Sequence, residues 1–255
     1  MDWSGKEAGF TLVEIAIVLV IIGLLLGGIL KAQQLIDSAR VRNMVNQSSA
    51  VQSSYYGFID RFRTLPGDMR PVDACSKIGS RVDPNCGGMP TIGGDGNGRI
   101  DSIVEAGAVW AHLSAAGFLN GSYTGDTLTA AEYAMGVTTG TVPPNAFQGP
   151  ILLANTSTYK NNGGVTRPAY SFGGNVPAPL LRDLDQKLDD GIAGTGILRS
   201  SVDTTDTINS ASYDSDIRAV DSYDTTVDEC VSGTAPGQLW DVDSSNRSCN
   251  AILLY

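Results

Sequence analysis

The sequence predicts an α+β protein: a long N-terminal helix, packed over its second half against an antiparallel sheet with long loops. Three observations support this. Residues 10–30 are almost entirely apolar, and residues 41–62 carry an apolar stripe at helical spacing. The remainder of the chain alternates short apolar runs with Gly, Asn, Ser, Thr and Asp, a pattern that favours strands and loops.

Composition and charge narrow the classes of function. The chain has 255 residues, of which 42% are hydrophobic and 17% are charged, as expected for a globular protein. Its formal net charge is −10. Binding to nucleic acid needs clustered Lys and Arg that neutralise phosphates. We therefore predict no nucleic-acid partner.

The apolar segment from Phe10 to Leu30 has the length of a membrane span. At about 1.5 Å per residue it covers roughly 30 Å, which is the thickness of the hydrocarbon layer. An ordinary signal peptide is cut after its apolar stretch. Here a short polar segment, residues 1–9, precedes the stretch. We expect cleavage between the two, so that the span stays with the mature protein.

One carboxylate, Glu14, interrupts the apolar run about one helical turn after its start. A lone ionised group in hydrocarbon costs several kcal/mol and calls for a partner. If the chain is cut after Gly9, the new α-amino group of Phe10 supplies one, in the same chain or in a neighbour. The alternative is an acid near a helix N-terminus, favoured by the dipole and reaching towards the interface. Position alone leaves both interpretations open.

The segment Gly9–Glu14, GFTLVE, followed at once by an apolar helix, resembles the prepilin cleavage and methylation motif. Type IV pilins and type II secretion pseudopilins share this motif. The resemblance covers residues 9–39 and implies cleavage after Gly9, N-methylation of Phe10, and an assembly role for Glu14 and Phe10 between subunits. Two departures are a leader with only Lys6 as a basic residue and the absence of proline from the apolar helix.

The resemblance also implies a function, a set of partners and a location. The chain would be a structural subunit of a type IV pilus or a type II secretion pseudopilus. Its partners would be prepilin peptidase, other pilin or pseudopilin subunits in a homo- or heteropolymer, an inner-membrane assembly platform and membrane lipid. It would cross the bacterial inner membrane once, with a periplasmic head, before it enters the filament. The alternative is a membrane-tethered adhesin or binding protein that does not polymerise.

The domain organisation follows from these segments. We predict a leader over residues 1–9, a helix over residues 10–63 with its span at 10–30, and a globular head over residues 64–255. Pro66 and Gly67 end the long helix. Within the head we predict helices over residues 102–116 and 179–190, and strands over residues 151–154, 169–172, 197–199, 217–220 and 251–254.

The four cysteines have no C-x-x-C spacing, so a zinc ribbon is not indicated. Export to an oxidising compartment favours disulfides instead. Four cysteines allow three connectivities. We expect the pairs Cys75–Cys86 and Cys230–Cys249, because they close the shortest loops.

Residues 93–101, GGDGNGRID, have the alternating oxygen side chains and glycines of a calcium loop. The best ligands would be Asp95, Asn97 and Asp101. The full EF-hand pattern fails, because Glu105 falls one residue late. A glycine-rich turn followed by the capping box Ser102-x-x-Glu105 explains the same residues without a metal. A structural calcium ion is therefore one of two interpretations, and no cofactor is required.

The sequence carries no signature of an enzyme. His112 is the single histidine, and neither a nucleophile elbow nor an H-E-x-x-H motif is present. A histidine beside Trp110 on a predicted helix is more often structural than catalytic. We therefore predict no enzymatic activity, and we expect the acidic stretch Asp183–Glu229 to form a solvated face.

Overall fold

A computed structural model describes residues 11–125, 141–157, 159–161, 165–201, 230–234, 236–243 and 249–255. The chain divides into two compact units, Met1–Arg40 and Val41–Tyr255. A long N-terminal helix and an antiparallel sheet are both present, so the predicted α+β class is confirmed.

Helix α1 spans Leu12–Phe62, 51 residues. It ends where Arg63 adopts a left-handed conformation, φ 58°, while its N–H still bonds to the Ile59 carbonyl. Pro66 follows too closely for the helix to resume. The predicted stripe is buried at these positions: Val41, Met44, Ser48, Val51, Tyr55 and Phe58. Phe62, the last residue of the predicted stripe, is only partly buried.

Three shorter helices follow: α2 Pro71–Lys77, α3 Ile103–Ala115 and α4 Ala178–Leu188. The capping box predicted for α3 is present, with Ser102 and Glu105 exchanging side-chain to backbone hydrogen bonds. Gly117 closes this helix with a left-handed φ of 81°, and the Phe118 N–H returns to the Leu113 carbonyl. Helix α2 was not predicted, because two turns are too short to show a periodic pattern.

The strands are β1 Leu152–Thr156, β2 Arg167–Ser171, β3 Leu198–Ser200, β4 Val231–Ser232, β5 Leu239–Trp240 and β6 Ala251–Leu254. Four of them form the main antiparallel sheet, in the order β1-β2-β6-β3. Two short strands, β4 and β5, form a separate antiparallel pair. Four of the five predicted strands match strands of the main sheet to within two residues, and the fifth, 217–220, lies outside the described residues.

One large core joins the second half of α1 to α3, α4 and the sheet. Phe58 lies at its centre and is fully buried. Its ring centroid is 4.6 Å from that of Phe62 and 6.1 Å from those of Phe118 and His112. Burying an aromatic side chain of this size contributes about 3 kcal/mol. This is why Val41–Phe62 belongs to the same compact unit as the residues after it.

Two disulfides join the residues that the loop lengths favoured, Cys75 to Cys86 and Cys230 to Cys249. Their Cα atoms are 5.4 Å and 5.8 Å apart, within the ordinary range for a disulfide. Cys230 and Cys249 are buried in the core, whereas Cys75 and Cys86 are only half-buried. The two bonds therefore differ in their access to a reductant.

We predict that mild dithiothreitol opens Cys75–Cys86 first, because thiol–disulfide exchange needs access to a sulfur. Cys230–Cys249 should open only when the fold is loosened by denaturant. Alkylation of the native protein at increasing times, followed by mass spectrometry, measures the order. Non-reducing peptide mapping serves as the control for pairing. A peptide that links Cys75 to Cys230 or Cys249 would contradict the structure, as would simultaneous release of both bonds.

Candidate functional site

Thr11 and Glu14 form a second capping box, at the start of α1. The Thr11 N–H and hydroxyl both donate to Oε2 of Glu14, each at 2.8 Å. The Glu14 N–H donates in return to the Thr11 hydroxyl at 3.3 Å. This is the reciprocal pattern that satisfies free N–H groups at a helix start. The T-x-x-E spacing is visible in the sequence, although Glu14 was predicted only as a charged partner or a dipole-stabilised acid.

The proposed cleavage and methylation residues, Gly9 and Phe10, lie outside the described residues. Their roles, and the pairing of the Phe10 amino group with Glu14, stay predictions. None of the hydrogen bonds formed among the described residues uses Oε1 of Glu14. One oxygen of this carboxylate therefore caps its own helix, and the other has no donor among the described residues.

The first part of α1 presents its apolar side chains outwards. From Leu12 to Leu30, the large apolar side chains are between 46% and 87% exposed. Among the described residues, α1 is the one helix long and apolar enough to cross a membrane. So large an apolar surface is unfavourable in water and requires a membrane or other apolar helices to cover it.

The glycine-rich loop at residues 93–101 is tied to two other segments. Gly94 and Gly96 donate backbone hydrogen bonds to the carbonyls of Met69 and Asp68, in the turn after α1. On its other side, Ile100 exchanges hydrogen bonds with Asn155 of β1, at 2.7 and 2.8 Å. A Cβ on Gly94 would overlap both the Glu105 carboxylate and the Asp68 backbone, so this close approach requires glycine.

Carboxylate oxygens of Asp68, Asp95 and Glu105 come within 4.8 Å of one another at this junction. Burial raises the pKa of Glu105 to about 7. The Asp101 N–H opposes this shift, whereas the Asp101 carboxylate, which contacts that of Glu105, adds to it. Burial also raises the pKa of Asp68, although the Gly98 N–H donates to its Oδ2 at 3.0 Å. Both shifts express the cost of holding negative charge away from water.

The three sequence-predicted ligands are neighbours but are not equivalent. The Asn97 amide donates to the carboxylates of Asp95 and Asp101, at 3.0–3.1 Å. Its oxygen accepts from the Arg99 N–H at 2.8 Å. Asp68 could not be predicted as part of this cluster, because it lies 27 residues before Asp95 and no local spacing connects them. Glu105 was explained as a helix cap, and the structure shows that one carboxylate can both cap the helix and face the loop.

His112 is a structural histidine, as its context on α3 suggested. It is fully buried, and its Nδ1 accepts from the Gly67 N–H at 2.9 Å. Nε2 therefore carries the proton and faces the Ile92 carbonyl at 3.4 Å. Burial lowers the pKa of His112 to about 4. The ring joins α3 to the turn that ends α1.

The acidic stretch from Asp183 is not wholly a solvated face, which corrects the sequence expectation for its first residues. Asp185 is fully buried, and its Oδ2 accepts from Nε1 of Trp240 at 2.7 Å. Burial raises the pKa of Asp185 to about 6. Asp189 and Asp190 at the end of α4 are partly buried and exposed, respectively. Residues 202–229 lie outside the described residues.

Comparison with known proteins identifies the N-terminal segment. The family described as the prokaryotic N-terminal methylation motif matches residues 4–30. The chain carries the type IV pilin and pseudopilin prepilin motif. Comparison with curated proteins and with solved structures returned no match.

The prepilin motif and the fold agree with each other. The motif ends inside α1, and the same helix continues into the core of the second unit. A long apolar N-terminal helix followed by an antiparallel sheet is a pilin-like α+β arrangement. Proteins with this motif are structural subunits rather than enzymes, and the prepilin motif together with the exposed apolar helix indicates membrane anchoring.

We predict that His112 stays neutral down to about pH 4, because its buried ring holds a proton more weakly than in the unfolded chain. The free energy of unfolding should therefore decrease as the pH falls from about 6.5 towards about 4, by up to about 3 kcal/mol. Since the chain has one histidine, NMR of the imidazole carbons follows its titration without ambiguity.

The matched control is His112→Asn, whose amide oxygen can take the place of Nδ1. This variant should lose the part of the pH dependence that lies between pH 4 and 6.5, as measured by thermal unfolding. A titration midpoint near 6.5 in the folded wild-type protein would contradict the buried neutral ring.

Proposed function

We propose that this chain is a structural subunit of a type IV pilus or a type II secretion pseudopilus. Prepilin peptidase cuts it after Gly9, Phe10 becomes N-methylated, and the subunit enters a helical filament through its N-terminal helix. The observation that carries this proposal is the methylation motif at residues 4–30, directly on an exposed apolar helix with one carboxylate in its first turn.

The exposed apolar surface of α1 supports this proposal, because it can be covered first by lipid and then by the helices of other subunits. Before assembly, lipid covers the side chains from Leu12 to Leu30. In a filament, the same side chains contact other copies of the helix, in a homopolymer or a heteropolymer. Because both environments are apolar, little burial energy separates them, and directional polar contacts decide the arrangement. In this segment Glu14 is the group that can supply such a contact.

The capping geometry of Glu14 suits an intersubunit role. Oε2 is held by Thr11, which fixes the rotamer of the side chain. Oε1 is then presented in a fixed direction and can accept from the methylated amine of Phe10 in a neighbour. In a water-free core, the attraction between a paired carboxylate and ammonium largely offsets the free energy lost when the two charges leave water. Either charge alone is strongly unfavourable there. The pair therefore selects the axial register between subunits.

The location and remaining partners follow from the same proposal. The subunit crosses the bacterial inner membrane once, with residues 64–255 as a periplasmic head, and contacts the inner-membrane assembly platform before it enters the filament. Residues of the head carry the surface contacts that distinguish one filament from another. The net charge of −10 on the whole chain favours the solubility of that head.

The first prediction is processing. In cells that express prepilin peptidase, the membrane form of the protein should begin at N-methylated Phe10. N-terminal sequencing and intact-mass measurement check this, and Gly9→Leu is the control that should block cleavage. Recovery of wild-type protein that still starts at Met1 from such cells would refute the assignment.

The second prediction concerns Glu14. We expect Glu14→Leu to insert in the membrane and to be cleaved normally, but to fall at least about tenfold in filaments, because the Phe10 ammonium is left buried and unpaired. Glu14→Asp should be intermediate, since its shorter side chain reaches the amine poorly. The measurement is recovery in the sheared filament fraction, normalised to the membrane level of each variant.

Glu14→Gln separates charge from capping. Glutamine keeps the acceptor that caps the helix, since capping boxes accept either residue, but it has no charge. It should fail to assemble like Glu14→Leu. Thr11→Val is the converse control: it removes the hydroxyl from the cap but keeps the charge and the backbone N–H of residue 11 that holds Oε2. It should assemble close to wild type. Normal assembly of Glu14→Gln, with loss in Thr11→Val, would reduce Glu14 to a helix cap.

The same variants distinguish the alternative function. A tethered adhesin or binding protein that does not polymerise would keep its activity in Glu14→Leu, and neither variant nor wild type would enter the sheared fraction. A wild-type subunit that is absent from filaments in a strain with an intact assembly machine would favour that alternative.

A further inference from the structure

The junction between the turn after α1, the glycine-rich loop and the start of α3 gathers three acidic side chains from separate parts of the sequence. Asp68 comes from the turn, Asp95 from the loop and Glu105 from the first turn of α3. One carboxylate oxygen from each lies within 4.8 Å of the others. Two oxygens on one calcium ion, each about 2.4 Å away, are at most about 4.8 Å apart. The span therefore suits a single ion.

A second observation points to a missing partner at the same place. Asp68 is 3% exposed, and its Oδ1 has no hydrogen-bond partner among the described residues. A buried carboxylate oxygen without a donor costs free energy, and such atoms are uncommon in folded proteins. The other oxygen, Oδ2, accepts from the Gly98 N–H, so rotation of the side chain would break an existing bond.

No basic side chain relieves this charge within the part of the chain that the structure describes. Arg70, in the same turn as Asp68, pairs with Asp73 at 3.2 Å instead. The surrounding backbone supplies N–H groups to Glu105 and Asp68, but these hydrogen bonds carry no full positive charge. Three like charges at this separation repel one another strongly when two of them are buried.

We propose that Asp68, Asp95 and Glu105 form a binding site for one calcium ion. All three donors are carboxylate oxygens, which hard divalent cations prefer, and no nitrogen or sulfur ligand lies in the cluster. Backbone carbonyls and water molecules can supply the remaining oxygen ligands of the calcium ion. The ion would lie where the α1–α2 turn, the loop and α3 meet, and would join them.

This ligand set differs from the one that local spacing suggested. Asp95 remains a ligand. The Asn97 amide donates to both Asp95 and Asp101, so it presents N–H groups rather than its oxygen to the carboxylates. Asp68 and Glu105 replace Asn97 and Asp101 as ligands, from segments 27 residues before and 10 residues after Asp95.

The test uses the full chain in detergent micelles at pH 7.5, stripped with chelator and then exchanged into chelator-free buffer. Calcium chloride is titrated in by calorimetry, and thermal unfolding is followed with and without the ion. We expect one calcium ion per chain and a higher unfolding temperature when it is bound. Asp68→Asn and Asp95→Asn keep the shape of each ligand but remove its charge, and each should weaken binding by about tenfold or more.

Two further variants make the result specific. Asp243→Asn removes an exposed carboxylate elsewhere in the head and should bind calcium like wild type. Asp101→Asn tests the other ligand set: although its carboxylate contacts that of Glu105, it should weaken binding less than Asp68→Asn. Absence of calcium uptake by the wild-type chain would overturn the site, and would mean that a proton relieves the buried charge. Loss of binding in Asp101→Asn with retention in Asp68→Asn would overturn this ligand set.

Discussion

The turn after α1 is the constraint on which the rest of the second unit depends. In four residues, Pro66–Met69, the backbone accepts hydrogen bonds from the glycine-rich loop and donates one to His112 of α3. Gly67 makes this approach possible, since a Cβ there would overlap the Glu105 carbonyl. The turn thus fixes the start of α3 and the path of the loop against the same end of α1. The buried rings of Phe58 and His112 then complete the core beside it.

Local patterns in the sequence predicted the elements that have a clear apolar periodicity or a recognisable capping or turn motif. The stripe from Val41 to Phe58 and the Ser102–Glu105 capping box are both formed as expected. Elements such as α2 and the β4–β5 pair are too short for any period, and their positions depend on tertiary contacts and on the Cys230–Cys249 bond. The order of strands, with β6 between β2 and β3, likewise has no local signal.

The two candidate sites also differ in how far the sequence could predict them. The N-terminal motif is contiguous, so its residues could be named from the sequence, although the Thr11 contribution became clear only from the hydrogen bonds. The acidic junction is not contiguous. Asp95 has a local signature, but Asp68 reaches it through the fold alone, and Glu105 was already explained by its role as a cap. A residue with two roles is hard to recognise, because the simpler role accounts for it completely.

The hydrogen bonds between Ile100 and Asn155 affect whether copies of this protein can associate through the edge of the main sheet. They satisfy the Asn155 N–H at the outer side of β1, an edge strand of the main sheet. An edge with free N–H groups invites a strand from another chain, which leads to aggregation at high local concentration. The proposed filament subunit, concentrated in a membrane and then packed side by side, would need protection from that route. By occupying the Asn155 position of this edge, the loop makes strand addition there less favourable.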